Sequence, residues 1–469
     1  MVVKPKLLKG FRDYLPGDMI ARQKIIATIK EVYESYGFVP LGTPALEYKE
    51  ILLGYGDEAS KQIYTFTDKD ENEVGLIFDL TVSLSRVIAQ YQDIPRPFKR
   101  YQIQPVWRYD KPDPGRFREF IQFDIDIVGT YSMIADAEII AAMSGCLKKL
   151  GLSFQIKYSN RKILDSLINF AGIDDSMKHT VFRVIDKLEK QGLDAVKLEL
   201  GPGRTDKSGD VIPGLELKRE QIDKIVEFLR IPQPTRNEAI NSLKVLFNNV
   251  QDAEEGINEL SEINDYLEAM NIPEENATID ARIARGLDYY TGPIYEAFLT
   301  DKKVTRLGSV MGGGRFDTLI GQFIKQDIPA TGASIGVDRL LEAVLKLGLI
   351  ETRSSTADIL ITVMTPERTI FYIQIADELR NAGINTELYI GKGNIGKQLK
   401  YADRQGIPIA VIIGPDEFEK NEVALKDLRK LETTDVEIKD RDEWLKFRMG
   451  QQAVPRGKLL ETIKMLLAH

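Results

Sequence analysis

The run FKRYQIQPVWRYDKPDPGRFREFIQFDID, residues 98–126, crowds Arg108, Asp110, Arg116, Arg118, Glu119, Gln122, Asp124 and Asp126 into two strand-like stretches and the loop DKPDPG. Gln122, Asp124 and Asp126 alternate with Phe123, Ile125 and Ile127, so one face of the second stretch is polar and continuous with Arg108. Mixed charges across an exposed strand pair would give the same run. Carboxylates, an amide and arginines on one sheet face also make a site for a zwitterion. A second stretch, ARGLDYYTGPIYEA (284–297), breaks a strand pattern with Arg285, Asp288, Tyr289 and Tyr290. Arg285 and Asp288 are expensive to bury unpaired. SVMGGGRFDTLIG supplies three consecutive glycines, where side chains are absent for close backbone approach, and TGASIGVDRLLEAV sets Gly332 and Gly336 before a helix carrying Arg339. Arg108, Arg285 and Arg339 therefore come from distant parts of the chain, each beside glycines or strand ends.

GKGNIGKQ (391–398) fits the phosphate-loop pattern G-x-x-x-x-G-K but ends on Gln398, where such a loop needs a Ser or Thr hydroxyl for magnesium. A polar strand-to-helix turn is the reading preferred here. Lys397, Lys400 and Arg404 then form a basic stripe at helical spacing, open to two readings: RNA phosphates or solvent. Cys146, the only cysteine, sits at helical spacing among apolar neighbours and reads as a buried structural thiol. One cysteine and two histidines, His179 and His469, exclude an internal disulfide and a cysteine zinc site, and argue against histidine-based catalysis.

These residues need elements to hold them, and 469 residues are too many for one core. The composition, 43% hydrophobic and 29% charged, is that of a globular protein, and a net charge of −8 argues against non-specific coating of nucleic acid. No apolar run approaches a membrane span, and Arg12 and Asp13 interrupt the start of the chain before a signal core forms, so a cytoplasmic protein is expected. GDMIARQKIIATIKEVYESYGF predicts a helix with Ile25, Ile29, Val32, Tyr33 and Tyr36 on one face. Short strands over 63–129, broken by one helix from about Thr81, predict an antiparallel sheet. Residues 165–270 read as successive amphipathic helices divided by the loop 201–214, an insertion after which the sheet resumes at Ile279. Beyond the polar linker ETRSSTADI, strand and helix alternate, predicting a separate α/β domain with parallel strands.

Over nearly its whole length the chain resembles the histidyl-tRNA synthetases, a class II family. ARGLDYYTG is similar to the family's histidine signature, and GFVPLGTPALE, FKRYQIQPVWRYDKPDPGRFREF and GASIGVDRLLEAV are similar to class II motifs 1, 2 and 3. The resemblance implies an α+β fold: an antiparallel catalytic sheet with flanking helices in two parts (1–164 and 271–350), a helical insertion (165–270), and a C-terminal anticodon-binding α/β domain (357–469). It implies that Asp79, Thr81 and Gln122 hold the α-amino end of histidine, while Asp126, Tyr289 and Tyr290 read the imidazole. Arg108 resembles the motif 2 arginine on the α-phosphate and carboxylate, with Asp110 and Arg116 beside ATP. Arg339 matches the motif 3 arginine on adenine and the terminal phosphate, and Arg285 the cation at the reacting carboxylate. FDLT around Asp79 is similar to the eukaryotic and archaeal branch and some bacteria, where many bacterial members carry glutamate and glycine.

The implied substrates are histidine, ATP with Mg2+, and tRNA, with no zinc, no organic cofactor and no fixed protein metal site. The implied assembly is a homodimer, since Pro44 and its strand resemble the class II dimer motif. Lys397, Lys400 and Arg404 are the candidate tRNA contacts. The other reading is a catalytically silent paralogue regulating histidine biosynthesis, against which the intact arginines and the appended domain both argue. Hydrogen-bonded selection of a ring N–H can discriminate by about 10⁴ to 10⁵ without editing, so no editing domain is expected.

Overall fold

Strict alternation builds the strands that matter most. The computed structural model describes residues 3–53, 61–113, 115–206, 209–248, 250–283, 289–350, 352–430 and 451–468. The chain divides into two compact units, residues 1–12 with 24–350 and residues 13–23 with 351–469.

The first unit is built on an eight-stranded sheet of β1 (Val39–Pro40), β5 (Phe98–Trp107), β6 (Glu119–Val128), β7 (Phe154–Asn160), β10 (Ala277–Ile279), β11 (Pro293–Leu299), β12 (Ser309–Arg315) and β13 (Ala330–Gly336). Their order is β1-β5-β6-β13-β12-β11-β7-β10; the interior pairings are antiparallel, and the two edge strands pair in parallel. Strands on both sides of the insertion share this sheet, as the sequence predicts. Phe123, Ile125 and Ile127 are buried on one face of β6. That face meets Tyr33 of the helix Pro16–Ser35, whose ring stands edge-on to Phe123 at 5.1 Å. Cys146, in the helix Ile134–Lys149, is buried and free, and burial pushes its thiol well above its ordinary range.

Not all the expected strands join this sheet. β2 (Leu46–Tyr48), β3 (Thr65–Thr67) and β4 (Glu73–Leu76) form a separate three-stranded sheet in the order β2-β4-β3. Local alternation identifies a strand but not its partner, so the single sheet expected over 63–129 is corrected to two. Between β7 and β10 lie helices from Arg161–Ala171 to Gln251–Ala269, and part of the predicted 201–214 loop is a hairpin of β8 (Gly203–Thr205) and β9 (Val211–Pro213).

The second unit contains β14 (Ile359–Ile361), β15 (Thr386–Leu388), β16 (Ile409–Ile412), β17 (Glu422–Asp427) and β18 (Gln451–Pro455), ordered β15-β14-β16-β17-β18. The first three are parallel as predicted, while β17 and β18 extend the sheet antiparallel. Among the described residues, no helix is long and apolar enough to cross a membrane.

Candidate active site

The register of three adjacent strands assembles the polar face. Across β5 and β6, Arg100 lies opposite Asp126, Gln102 opposite Asp124, and Gln104 opposite Gln122. Across β6 and β13, Gly332, Ser334 and Gly336 face Asp126, Asp124 and Gln122 in the same order. Side chains opposed in register share a face, so the alternation seen in one strand extends into a three-strand floor.

The glycines keep that floor open. A Cβ on Gly332 would come within 2.0 Å of Asp126 Oδ1, and one on Gly314 within 2.9 Å of the Tyr290 ring. Any side chain at either position would displace Asp126 or Tyr290. Above the floor is a cavity of about 450 Å³. Asp79, Thr81, Gln122, Asp126, Tyr289 and Tyr290 line it, as do Arg108, Asp110, Arg116 and Arg339. Ten of the sequence candidates thus come together. Arg285 lies outside the described residues. Lys397, Lys400 and Arg404 are exposed on the helix Ile395–Gln405 of the second unit.

At one end, Asp79 Oδ1 accepts the backbone N–H groups of Thr81 (2.9 Å) and Val82 (3.2 Å), two of the free donors in the first turn of the helix Thr81–Gln90. The Tyr289 hydroxyl donates to Asp79 Oδ2 at 3.4 Å, and the Tyr289 and Tyr290 rings meet edge-on at 5.0 Å. Burial, then the carboxylates of Asp79 and Asp126, hold the Tyr290 phenol above its ordinary range, so it remains a hydrogen-bond donor.

Burial pushes Asp126 up to about 6 against the opposing effect of Arg100, and Asp124 up to about 7 by burial with Asp126 and Asp79 adding to it. Arg100 is fully buried and its Nη2 lies 2.6 Å from Asp126 Oδ2.

At the other end, Arg108 is clamped between the rings of Phe78 (4.3 Å) and Phe120 (5.3 Å). Its Nε donates to the Phe78 carbonyl at 3.0 Å and its Nη2 to Gln122 Oε1 at 3.1 Å. A guanidinium fixed this way is pre-aimed for an anion. Arg116 pairs with Asp110 at 2.7 Å, its side chain 54% exposed, and Arg339 Nη1 donates to the Ser309 carbonyl. Among the described residues, no group of three His, Cys, Asp or Glu side chains is placed to hold a metal ion.

Arg100 escaped the sequence reading although it stands two residues before Gln102 and four before Gln104, with the same period-2 signal. Gln398 is accounted for as well. Its amide accepts from Val363 N and donates to Val363 O, both at 2.8 Å, which ties the glycine-rich turn to the backbone after β14 and occupies the position a phosphate loop gives to a magnesium ligand.

The histidyl-tRNA synthetase family model matches residues 10–340, and a model of an anticodon binding domain matches residues 358–448. A histidine–tRNA ligase of Dinoroseobacter shibae is 40% identical over 99% of this chain and 98% of its own. One from Rhizobium meliloti is 39% identical over 100% and 96%. Among solved structures, the histidyl-tRNA synthetase from Nostoc sp. superposes with a TM-score of 0.82 at 33% identity, covering 99% of this chain and 100% of that one. A Bacillus halodurans protein described as an ATP phosphoribosyltransferase regulatory subunit/histidyl-tRNA synthetase matches with a TM-score of 0.69 at 22% identity, over 85% of this chain and 97% of that one, a likeness of fold alone.

Proposed function

The chain belongs to the histidyl-tRNA synthetase family and ligates histidine to tRNA, and from that premise we propose how its own residues do so. Asp79, Thr81 and Gln122 hold the substrate's ammonium end, and Asp126 with Tyr289 and Tyr290 pairs the imidazole. The substrate carboxylate then faces Arg108. ATP lies over Arg116 and Arg339, and its magnesium enters with the phosphates as part of the substrate.

A carboxylate oxygen attacks the α-phosphorus, the bond to pyrophosphate breaks, and histidyl-adenylate forms. A tRNA hydroxyl then attacks the carbonyl carbon, its proton passes to the departing phosphate, and AMP leaves. Two anions about 3.5 Å apart at an effective dielectric near 20 repel by roughly 5 kcal/mol, so fixed cations at the reacting atoms are the main requirement. Arg108, already clamped, meets it without reorganisation, and the family resemblance gives Arg285 a charge-stabilising role of the same kind. Adenylate formation needs no general base because the attacking carboxylate is already ionised. A histidine enzyme with only two histidines of its own is consistent with this chemistry.

The domain roles belong to the same reading: catalysis by 1–164 and 271–350, an insertion over 165–270, and anticodon binding by 357–469 with Lys397, Lys400 and Arg404 on RNA phosphates. So does a cytoplasmic homodimer, supported by edge strand β1 and the exposed Val39, Leu46 and Tyr48 nearby.

The observation that carries the reading is the pairing of Arg108 with Gln122 in a cavity that Asp126 and the two tyrosines also line. The test is ATP–pyrophosphate exchange without tRNA, run with each amino acid. Exchange with histidine alone is expected; tight histidine binding without exchange would favour the regulatory paralogue.

A further inference from the structure

We propose that Arg100 is a positioning residue that fixes the charge and aim of Asp126, and through it the enzyme's preference for an imidazole side chain. The proposal rests on the reading that Asp126 pairs the substrate ring.

Arg100 touches none of the reacting atoms in that reading, yet it is fully buried, which is costly for a guanidinium. Replacing a buried ion pair by apolar residues of similar volume is often neutral or stabilising, so stability alone is a weak reason for one here. Its contacts join both halves of the amino-acid site. One Nη2 group lies 2.6 Å from Asp126 Oδ2 and 3.3 Å from the carbonyl of Leu80, the residue between Asp79 and Thr81. The Nη1 group donates to Gln102 Oε1 at 3.3 Å. The two oxygens of Asp126 are thereby given different tasks. Oδ2 is ion-paired with Arg100, while Oδ1 lies over Gly332, in the space a Cβ would fill. An imidazole N–H entering that space meets an oxygen whose orientation is already set.

Charge follows the same geometry. Asp126 is faced by Arg100 from β5, Asp124 from its own strand, Asp79 from the segment before the helix Thr81–Gln90, and the phenol of Tyr290, with the Tyr289 hydroxyl on Asp79. Arg100 is the cation in this set and opposes the burial that favours a protonated Asp126. A protonated carboxyl would offer one acceptor fewer to the ring. Removing Arg100 therefore raises the pH at which Asp126 becomes charged and frees its side chain to rotate.

The test compares wild type, Arg100→Met, Arg100→Lys and Asp126→Asn by histidine-dependent ATP–pyrophosphate exchange across the neutral pH range. Thermal melting of each serves as a folding control. For Arg100→Met, KM for histidine should rise about tenfold with KM for ATP unchanged. The acid limb of kcat/KM for histidine should move up by about one pH unit. Free histidine titrates in the same range in every assay, so a difference between profiles belongs to the enzyme. Arg100→Lys keeps the charge but not the fork, and should restore the acid limb while leaving a smaller rise in KM for histidine alone.

KM values for histidine and ATP that rise together, with an unmoved acid limb, would reduce Arg100 to a structural part and overturn the proposal. If Arg100→Met does not fold, the lysine variant decides: a rise confined to histidine supports the proposal, and equal rises overturn it. Asp126→Asn separates the two levels. If it leaves KM for histidine unchanged, the underlying reading fails; if it is impaired while Arg100→Met is not, only the role of Arg100 is lost.

Discussion

The two larger sheets among the described residues solve opposite problems. In the eight-stranded sheet, β6 buries Phe123, Ile125 and Ile127 on one face and turns Gln122, Asp124 and Asp126 to the other, where they line a cavity open to a ligand. In the second unit, every position of β14 and β16 is buried. Ile359, Ile361, Ile409 and Val411 pack with Tyr372, Ile375 and Leu379 on one side; Leu360, Ala410 and Ile412 pack with Leu399 and Ala402 on the other. A parallel sheet covered on both faces has no face to offer, and binding moves to strand ends and outer helices. A cavity of about 530 Å³ in this unit follows the rule. It lies where β16 gives way to Ile413, between Arg368, Phe371, Phe418 and Arg456. The first sheet therefore offers a polar face to a small substrate, whereas the second unit has strand ends and outer helices to offer.

The sharpest way to break this contrast is to give the open face a side chain it cannot hold. Gly332→Val drives a methyl into Asp126 Oδ1, which a glycine Cβ would already approach to 2.0 Å. Histidine-dependent exchange should fall by at least about 10³-fold. Binding of tRNA to the second unit should be preserved in a filter or anisotropy assay. Near-normal exchange would mean that the ring sits elsewhere.

The next effect is smaller and falls on the other sheet's outer surface. Replacing Lys397, Lys400 and Arg404 with alanine should raise KM for tRNA about tenfold and make the salt dependence shallower by about 2 in log–log slope. Exchange without tRNA should be unaffected. If neutralising Arg368 and Arg456 gives that result instead, RNA is held at the strand-end cavity and not along the helix.

How much of this was readable in advance depends on which interactions are local. Alternation from Gln122 to Asp126, the glycine run and the insertion between β7 and β10 each left a periodic or compositional trace, and the structure bears them out. Arg100 left a trace of the same kind, but its meaning lay in the register of β5 against β6, which follows from the turn between them and not from either strand. Register also explains why β3 and β4 were expected in the large sheet. Strand identity is local and partner choice is not. β17 and β18 were missed for a related reason: they pair across an intervening stretch of chain whose length hides the hairpin relation.

The smallest expected effect concerns what the open face costs the fold. Burial holds Asp124 up at about 7, well above the value near 3.9 of an unfolded aspartate. The folded chain therefore binds this proton more tightly than the unfolded one. Its contribution to stability is fully present below the unfolded value and is lost as pH rises through 7. Asp124→Asn, neutral and nearly isosteric, removes that loss. At about pH 8 it should stabilise the unliganded protein by about 1 kcal/mol, a rise of a few degrees or less in Tm. The gain over wild type should shrink steadily as the pH is lowered toward 4, and scanning fluorimetry across that range reads it directly. A variant less stable than wild type at the alkaline end would mean that Asp124 is ionised and well paired. The polar face would then be a source of stability, and the contrast with the apolar strands β14 and β16 would lie in geometry alone.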